Sequence, residues 1–239
     1  MSWTGRVSFI GVVIAATMVF STPSVISDKI IEVAKGAPEC TTPSEIAILG
    51  ASSEASKRKS AWVKRFKRYA KEHWGANTEV HAWAGIRVGE FLEQGKVGNP
   101  EEVIASLKKQ KPELVIMHLG ANDYYSNRSP ATVERDLRSL TRRATNGSSD
   151  VSLLYIIHWD VVKKAHKHPW SWSEYADRIE DVAVDYGAKV VDAREFIDPY
   201  PESTAGVWSK DQMHVNGAGH SALFAAVWNR LGECTNEND

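Results

Sequence analysis

The sequence has almost no net charge: 29 lysines and arginines stand against 30 aspartates and glutamates, a formal −1. Without a basic field nothing draws the chain to nucleic acid, and no nucleic-acid partner is expected. Metal-binding spacing is missing too. His158, His166, His168 and His220 form neither an HExxH pattern nor a cysteine–histidine cluster, so no metal is expected. The phosphate loop G-x-x-x-x-G-K-[ST] fails between Gly50 and Lys57, where Ala55 stands at the second glycine. No cofactor is expected, although a flavin-type cradle at the serines stays open on grounds of fold alone. There is no internal repeat and no low-complexity tract. Cysteine is nearly absent, with Cys40 and Cys234 the two present.

What is there begins with an apolar run. Met1 to Arg6 is weakly basic, Val7 to Phe20 is apolar apart from Ser8 and Thr17, and Ser21-Thr22-Pro23-Ser24 breaks the run. That order describes a secretory signal peptide, with residues 1–27 removed after Val25 and Ser27. The competing reading is an uncleaved membrane anchor, since Val7 to Ile26 approaches the roughly 20 residues that span a bilayer. Either way the remainder is exported, to a secreted, periplasmic or cell-surface location. Export gives the cysteines a role, because an oxidising compartment favours a Cys40–Cys234 disulfide. Closing so long a loop is worth at most about 5 kcal/mol. Residues 28–43 read as a linker, 44–233 as the folded domain and 234–239 as a tail.

Within the domain, apolar segments alternate with amphipathic ones. Glu45–Leu49, Thr78–Trp83, Leu114–Leu119, Val151–His158 and Lys189–Asp192 read as five strands. Helices are expected over 57–74, 86–93, 100–109, 129–145, 173–186 and 217–231. In the first of these, Trp62, Phe66, Tyr69 and His73 form the inward face, opposite basic residues that suit a solvated surface. The alternation predicts an α/β fold: a three-layer α/β/α sandwich around a flavodoxin-like, five-stranded parallel sheet.

Four blocks lie where such a sheet gathers its loops. Gly50-Ala51-Ser52 follows the first strand, Gly85 the second and Gly120-Ala121-Asn122-Asp123 the third, while Asp211-Gln212-Met213-His214 precedes the last helix. Each block alone has a plain reading: a serine helix cap, a turn glycine, an Asx turn, a surface pair. Together they supply what acyl transfer needs. A serine hydroxyl becomes a nucleophile when a histidine takes its proton, and a carboxylate holds that histidine's tautomer. The oxyanion then requires donors aimed at it.

In this order the blocks resemble the SGNH (GDSL-type) hydrolases, a family of secreted esterases, lipases and carbohydrate deacetylases, from about Ile46 to Val227. The resemblance implies Ser52 as nucleophile, His214 as general base and Asp211 as its orienter. It implies the backbone N–H groups of Ser52 and Gly85 and the amide of Asn122 as oxyanion donors. The chain departs from the family at Ala51, where an aspartate is usual and supports the loop. Ser53 is the fallback nucleophile, and Gly-x-Ser spacing favours Ser52.

The implied activity is hydrolysis of carboxylic esters through an acyl-enzyme. The expected partner is an ester substrate: a small molecule, a lipid or an acylated glycan carrying short acyl groups. Membrane contact is expected only through an uncleaved N-terminus. A non-catalytic glycan- or lipid-binding module and an O-acyltransferase are the alternatives. Trp159, Trp170, Trp172 and Trp208 are expected near the site, either stacking on substrate or plugging loops onto the sheet. His118, inside a buried strand, is expected to be a satisfied core residue.

Overall fold

The computed structural model describes residues 42–57, 59, 61–93, 97, 99–160, 168–197, 207, 209 and 213–232. The N-terminal segment, Cys40, Cys234, Asp211 and Trp208 lie outside these residues.

Five strands form one parallel sheet: β1 (Glu45–Gly50), β2 (Asn77–Ala82), β3 (Leu114–His118), β4 (Ser152–Ile157) and β5 (Lys189–Asp192), in the order β2-β1-β3-β4-β5. Ile48 pairs with Val80 on one side and with Ile116 on the other. This is a flavodoxin-like order, and the parallel pairing is the one the alternation implied. The chain moves outward from β1 to β2 and then returns past β1 to β3. The loops after β1 and β3 therefore diverge and leave a crevice at the carboxyl ends of those strands.

Six α-helices cover the sheet among the described residues: α1 (Trp62–Trp74), α2 (Pro100–Gln110), α3 (Ala121–Tyr125), α4 (Pro130–Ala144), α5 (Trp172–Asp185) and α6 (Gly217–Gly232). Strand side chains alternate between two cores. Ala47, Leu49, Val115, Met117, Leu153 and Tyr155 pack under α2, α4 and α5. Ile46, Ile48, Leu114, Ile116, Leu154 and Ile156 pack under α1 and α6. Both faces are buried, which is why these strands read as continuous apolar runs and not as alternating ones.

Caps set the helix starts, two of them at the residues the sequence implied. Asn99 accepts the Glu101 N–H, and Ser129 precedes Pro130 and accepts the Thr132 N–H. Ser171 and Glu174 form a capping box.

Three expectations need correction. The first helix starts at Trp62, not at 57, because Ala51–Ala55 form a separate turn closed by the Ala55 N–H on the Ala51 carbonyl at 2.9 Å. Its inward face ends at Ala70: Trp62 and Phe66 are buried, Tyr69 is half-buried and His73 is exposed. The segment expected to be helical over 86–93 holds only a 3-10 turn, Val88–Phe91. There the Val88 N–H is taken by Asp123 at 3.0 Å.

Candidate active site

Ser52 lies in the turn beyond β1, and its Oγ is 2.9 Å from Nε2 of His214 across 162 residues of chain. Ser53, the fallback, is buried, and the histidine stands against Ser52 instead. His214 is held by several ties. The Ser209 N–H donates to its carbonyl at 2.8 Å, and the Asn216 N–H donates to the Val207 carbonyl at 2.7 Å. The Asn216 Oδ1 accepts the Ala218 and Gly219 amides at the start of α6. Gly219 permits the close approach, since a Cβ there would lie 2.5 Å from Val215 and 2.8 Å from the Val207 carbonyl. Asp211, the expected orienter, lies outside the described residues.

Ser52, Gly85, Asn122 and His214 line one cleft of about 260 Å³, together with Ala51, Leu119, Tyr125, His158 and Met213. Gly85 has φ +71°, a left-handed turn conformation that favours glycine. Asn122 donates one amide hydrogen to the Ile86 carbonyl at 2.8 Å, which orients the side chain and leaves its second hydrogen for another acceptor. The next residue anchors the same loop from below. Asp123 accepts the Val88 N–H at 3.0 Å and Arg128 at 3.2 Å, while Arg128 reaches Asp136 at 2.6 Å. The loop carrying Gly85 is thus tied to the loop carrying Asn122.

Burial raises Asp123 from 3.8 to about 6, against the opposing pull of the Val88 amide and Arg128. A raised carboxyl stabilises the fold in its protonated form. That contribution is complete below 3.8 and is lost as pH rises through about 6. Relative to a non-titrating Asp123→Asn variant, the wild type should lose about 2 kcal/mol of stability between pH 4 and pH 7. Urea denaturation of both proteins across that range measures it, and a difference that does not vary with pH removes Asp123 as the cause.

His158 is pushed well below its usual range, first by burial and then by the neighbouring His118, with His214 adding to the effect. It is therefore neutral beside the Ser52–His214 pair. Its Nδ1–H donates to the Trp159 carbonyl at 2.9 Å. Two of the four tryptophans, Trp159 and Trp172, plug loops onto the sheet. Trp159 and Trp172 are buried, and their indole N–H groups donate to the carbonyls of Met213 at 3.2 Å and His158 at 2.9 Å. Trp170 is half-buried against the core. His118 corrects its expectation in part: Nδ1 meets Glu54 at 2.7 Å, but Nε2 is buried without a hydrogen-bond partner. Glu54 also lines the cleft and went unnoticed in the sequence. An acidic residue two positions after a candidate nucleophile was the available signal. Among the described residues no group of three or more His, Cys, Asp or Glu side chains is arranged to hold a metal.

The family profile described as GDSL-like lipase/acylhydrolase matches residues 46–222. The chain belongs to the GDSL-like lipase/acylhydrolase family. It is a serine ester hydrolase of SGNH/GDSL type.

Solved structures share the fold of this GDSL hydrolase. Axe2, an acetylxylan esterase from Geobacillus stearothermophilus, has a TM-score of 0.60 at 17% identity, covering 81% of this chain and 96% of its own. The acetyl xylan esterase AlAXEase reaches 0.62 at 13% identity, covering 77% of this chain and 98% of its own. LAE5, an alpha/beta hydrolase from the metagenome of Lake Arreo, Spain, reaches 0.62 at 19% identity, over 81% and 97%. At such identities the likeness is one of fold. No curated protein matches the chain in sequence.

Proposed function

We propose that this GDSL hydrolase cleaves short-chain carboxylic esters, acetyl esters of a small molecule or glycan foremost, through an acyl-enzyme on Ser52. The observation that carries the proposal is the 2.9 Å contact between Ser52 Oγ and His214 Nε2 in a cleft that Gly85 and Asn122 also line. His214 takes the hydroxyl proton as Oγ attacks the ester carbonyl, and returns it to the departing alcohol. Asp211 holds the imidazole in the tautomer with Nε2 bare. The Ser52 and Gly85 N–H groups and the second Asn122 amide hydrogen receive the oxyanion. Water activated by the same histidine then releases the acid.

Cleft size supports a short acyl group. About 260 Å³ lies below the roughly 300 Å³ at which pockets for drug-sized ligands begin. The acetylxylan esterases among the structural neighbours support an acetylated glycan as the alcohol portion. An export signal in residues 1–27 and a Cys40–Cys234 bridge complete the proposal and rest on the sequence.

p-Nitrophenyl esters from acetate to decanoate test the acyl preference. The expected result is kcat/KM falling at least about tenfold between acetate and octanoate, against a possible loss or gain of about 1–3 kcal/mol per methylene in an apolar pocket. A preference for octanoate or longer overturns the short-acyl reading.

A further inference from the structure

We propose that Glu54 is the positioning residue of this site: a buried carboxylate that locks the Ser52 loop to the β3 loop carrying Asn122. This rests on the esterase reading and deepens it. The Glu54 side chain is fully buried. Its Oε2 accepts the Ala51 N–H at 2.9 Å, the amide immediately before Ser52. Its Oε1 accepts the Trp62 indole N–H at 2.8 Å and meets His118 Nδ1 at 2.7 Å. One side chain therefore holds the nucleophile turn, the start of α1 and the end of β3, across the gap between β1 and β3 where the sheet opens.

The chemistry demands a carboxylate. A backbone amide and an indole N–H only donate, and they address different oxygens, so both oxygens must accept. A glutamine would turn its NH₂ against one of them. His118 donates Nδ1–H to the same Oε1, and its Nε2 is the buried atom left without a partner. Ala51 offers the turn no polar side chain of its own, so Glu54 supplies the acceptor from three residues downstream.

Gly50 shows that the backbone is cut to fit this arrangement. A Cβ at position 50 would lie 2.4 Å from Glu54 Cγ and 2.5 Å from Oε2. Glu54 folds back over a residue that has no side chain, and any larger residue there would displace the carboxylate.

The test compares wild type with Glu54→Gln in p-nitrophenyl acetate turnover and in the second-order rate of labelling by a fluorophosphonate, with melting temperature followed in parallel. A positioning role predicts that Glu54→Gln lowers kcat and the labelling rate together by roughly 10–100-fold while KM stays within threefold. A role confined to stability would lower the melting temperature and leave both rates of the folded protein unchanged, which overturns the proposal. Should Glu54→Gln not fold, Trp62→Phe carries the question. It removes one donor from Oε1 without touching the Ala51 contact, and is expected to slow labelling by roughly 3–10-fold at constant KM; labelling at the wild-type rate overturns the proposal. Wild-type protein that neither hydrolyses the ester nor takes the label overturns the esterase reading itself. A labelled wild type beside an equally reactive Glu54→Gln overturns the inference about Glu54 alone.

Discussion

Ser52→Ala should lower kcat/KM for p-nitrophenyl acetate by about 10⁴-fold or more and abolish fluorophosphonate labelling. The substitution removes the Oγ that lies 2.9 Å from His214 while sparing the core beneath the turn, so folding should survive. His214→Ala should cost about as much. Without the imidazole the hydroxyl keeps its proton, and without the hydroxyl the imidazole has nothing to activate. The double variant should then be no worse than either single one, because the two act as one unit. Near-UV circular dichroism establishes that the variants are folded, and steady-state kinetics gives the rates. If Ser52→Ala retained more than a tenth of wild-type turnover, the nucleophile would have to be sought elsewhere in the cleft.

Asn122→Ala should reduce kcat by about 10²–10³-fold with KM little changed. The amide carries two hydrogens, and the bond to the Ile86 carbonyl commits one of them. In the proposed mechanism the other meets charge that develops only as the carbonyl carbon becomes tetrahedral, so its loss would fall on the transition state and leave ground-state binding alone. Asn122→Asp should be at least as damaging, since a carboxylate presents negative charge to the oxyanion. Separate determination of kcat and KM decides the matter: a rise in KM at constant kcat would assign Asn122 to substrate binding.

Much of this site is legible in one dimension because its signals are local. A strand buried on both faces is an uninterrupted apolar run, and the residue just past its end sits at the sheet edge. Ser52 and Asn122 announce themselves in that way, and the parallel order follows from the alternation of strands and helices. Glu54 sends no such signal. Read along the chain it is an acid two positions after Ser52 and before a basic amphipathic helix, a spacing that does not separate a buried side chain from a solvated one. Only packing reveals that the turn folds it over Gly50 toward Trp62 and His118, residues 8 and 64 positions away.

The tryptophans show the same limit. Their position after β4 suggested a surface for substrate, but an indole can cover a loop as readily as a ligand, and its N–H decides nothing until an acceptor is known. The carbonyls of Met213 and His158 settle it for Trp159 and Trp172. The helical expectation over 86–93 failed for a related reason. A local pattern cannot register that this segment is tied to a carboxylate 35 residues on, through the Val88 amide, and folds only as a 3-10 turn.

By itself, then, the sequence determined the layers, the parallel sheet and the types and order of the groups at its edge, since each depends on hydrophobic period and on turn residues within a few positions. The tertiary structure decided which of those groups meet and which buried acid holds them. A hydrogen bond between residues distant along the chain depends on how whole elements pack, and its geometry has no counterpart in the linear spacing of either partner.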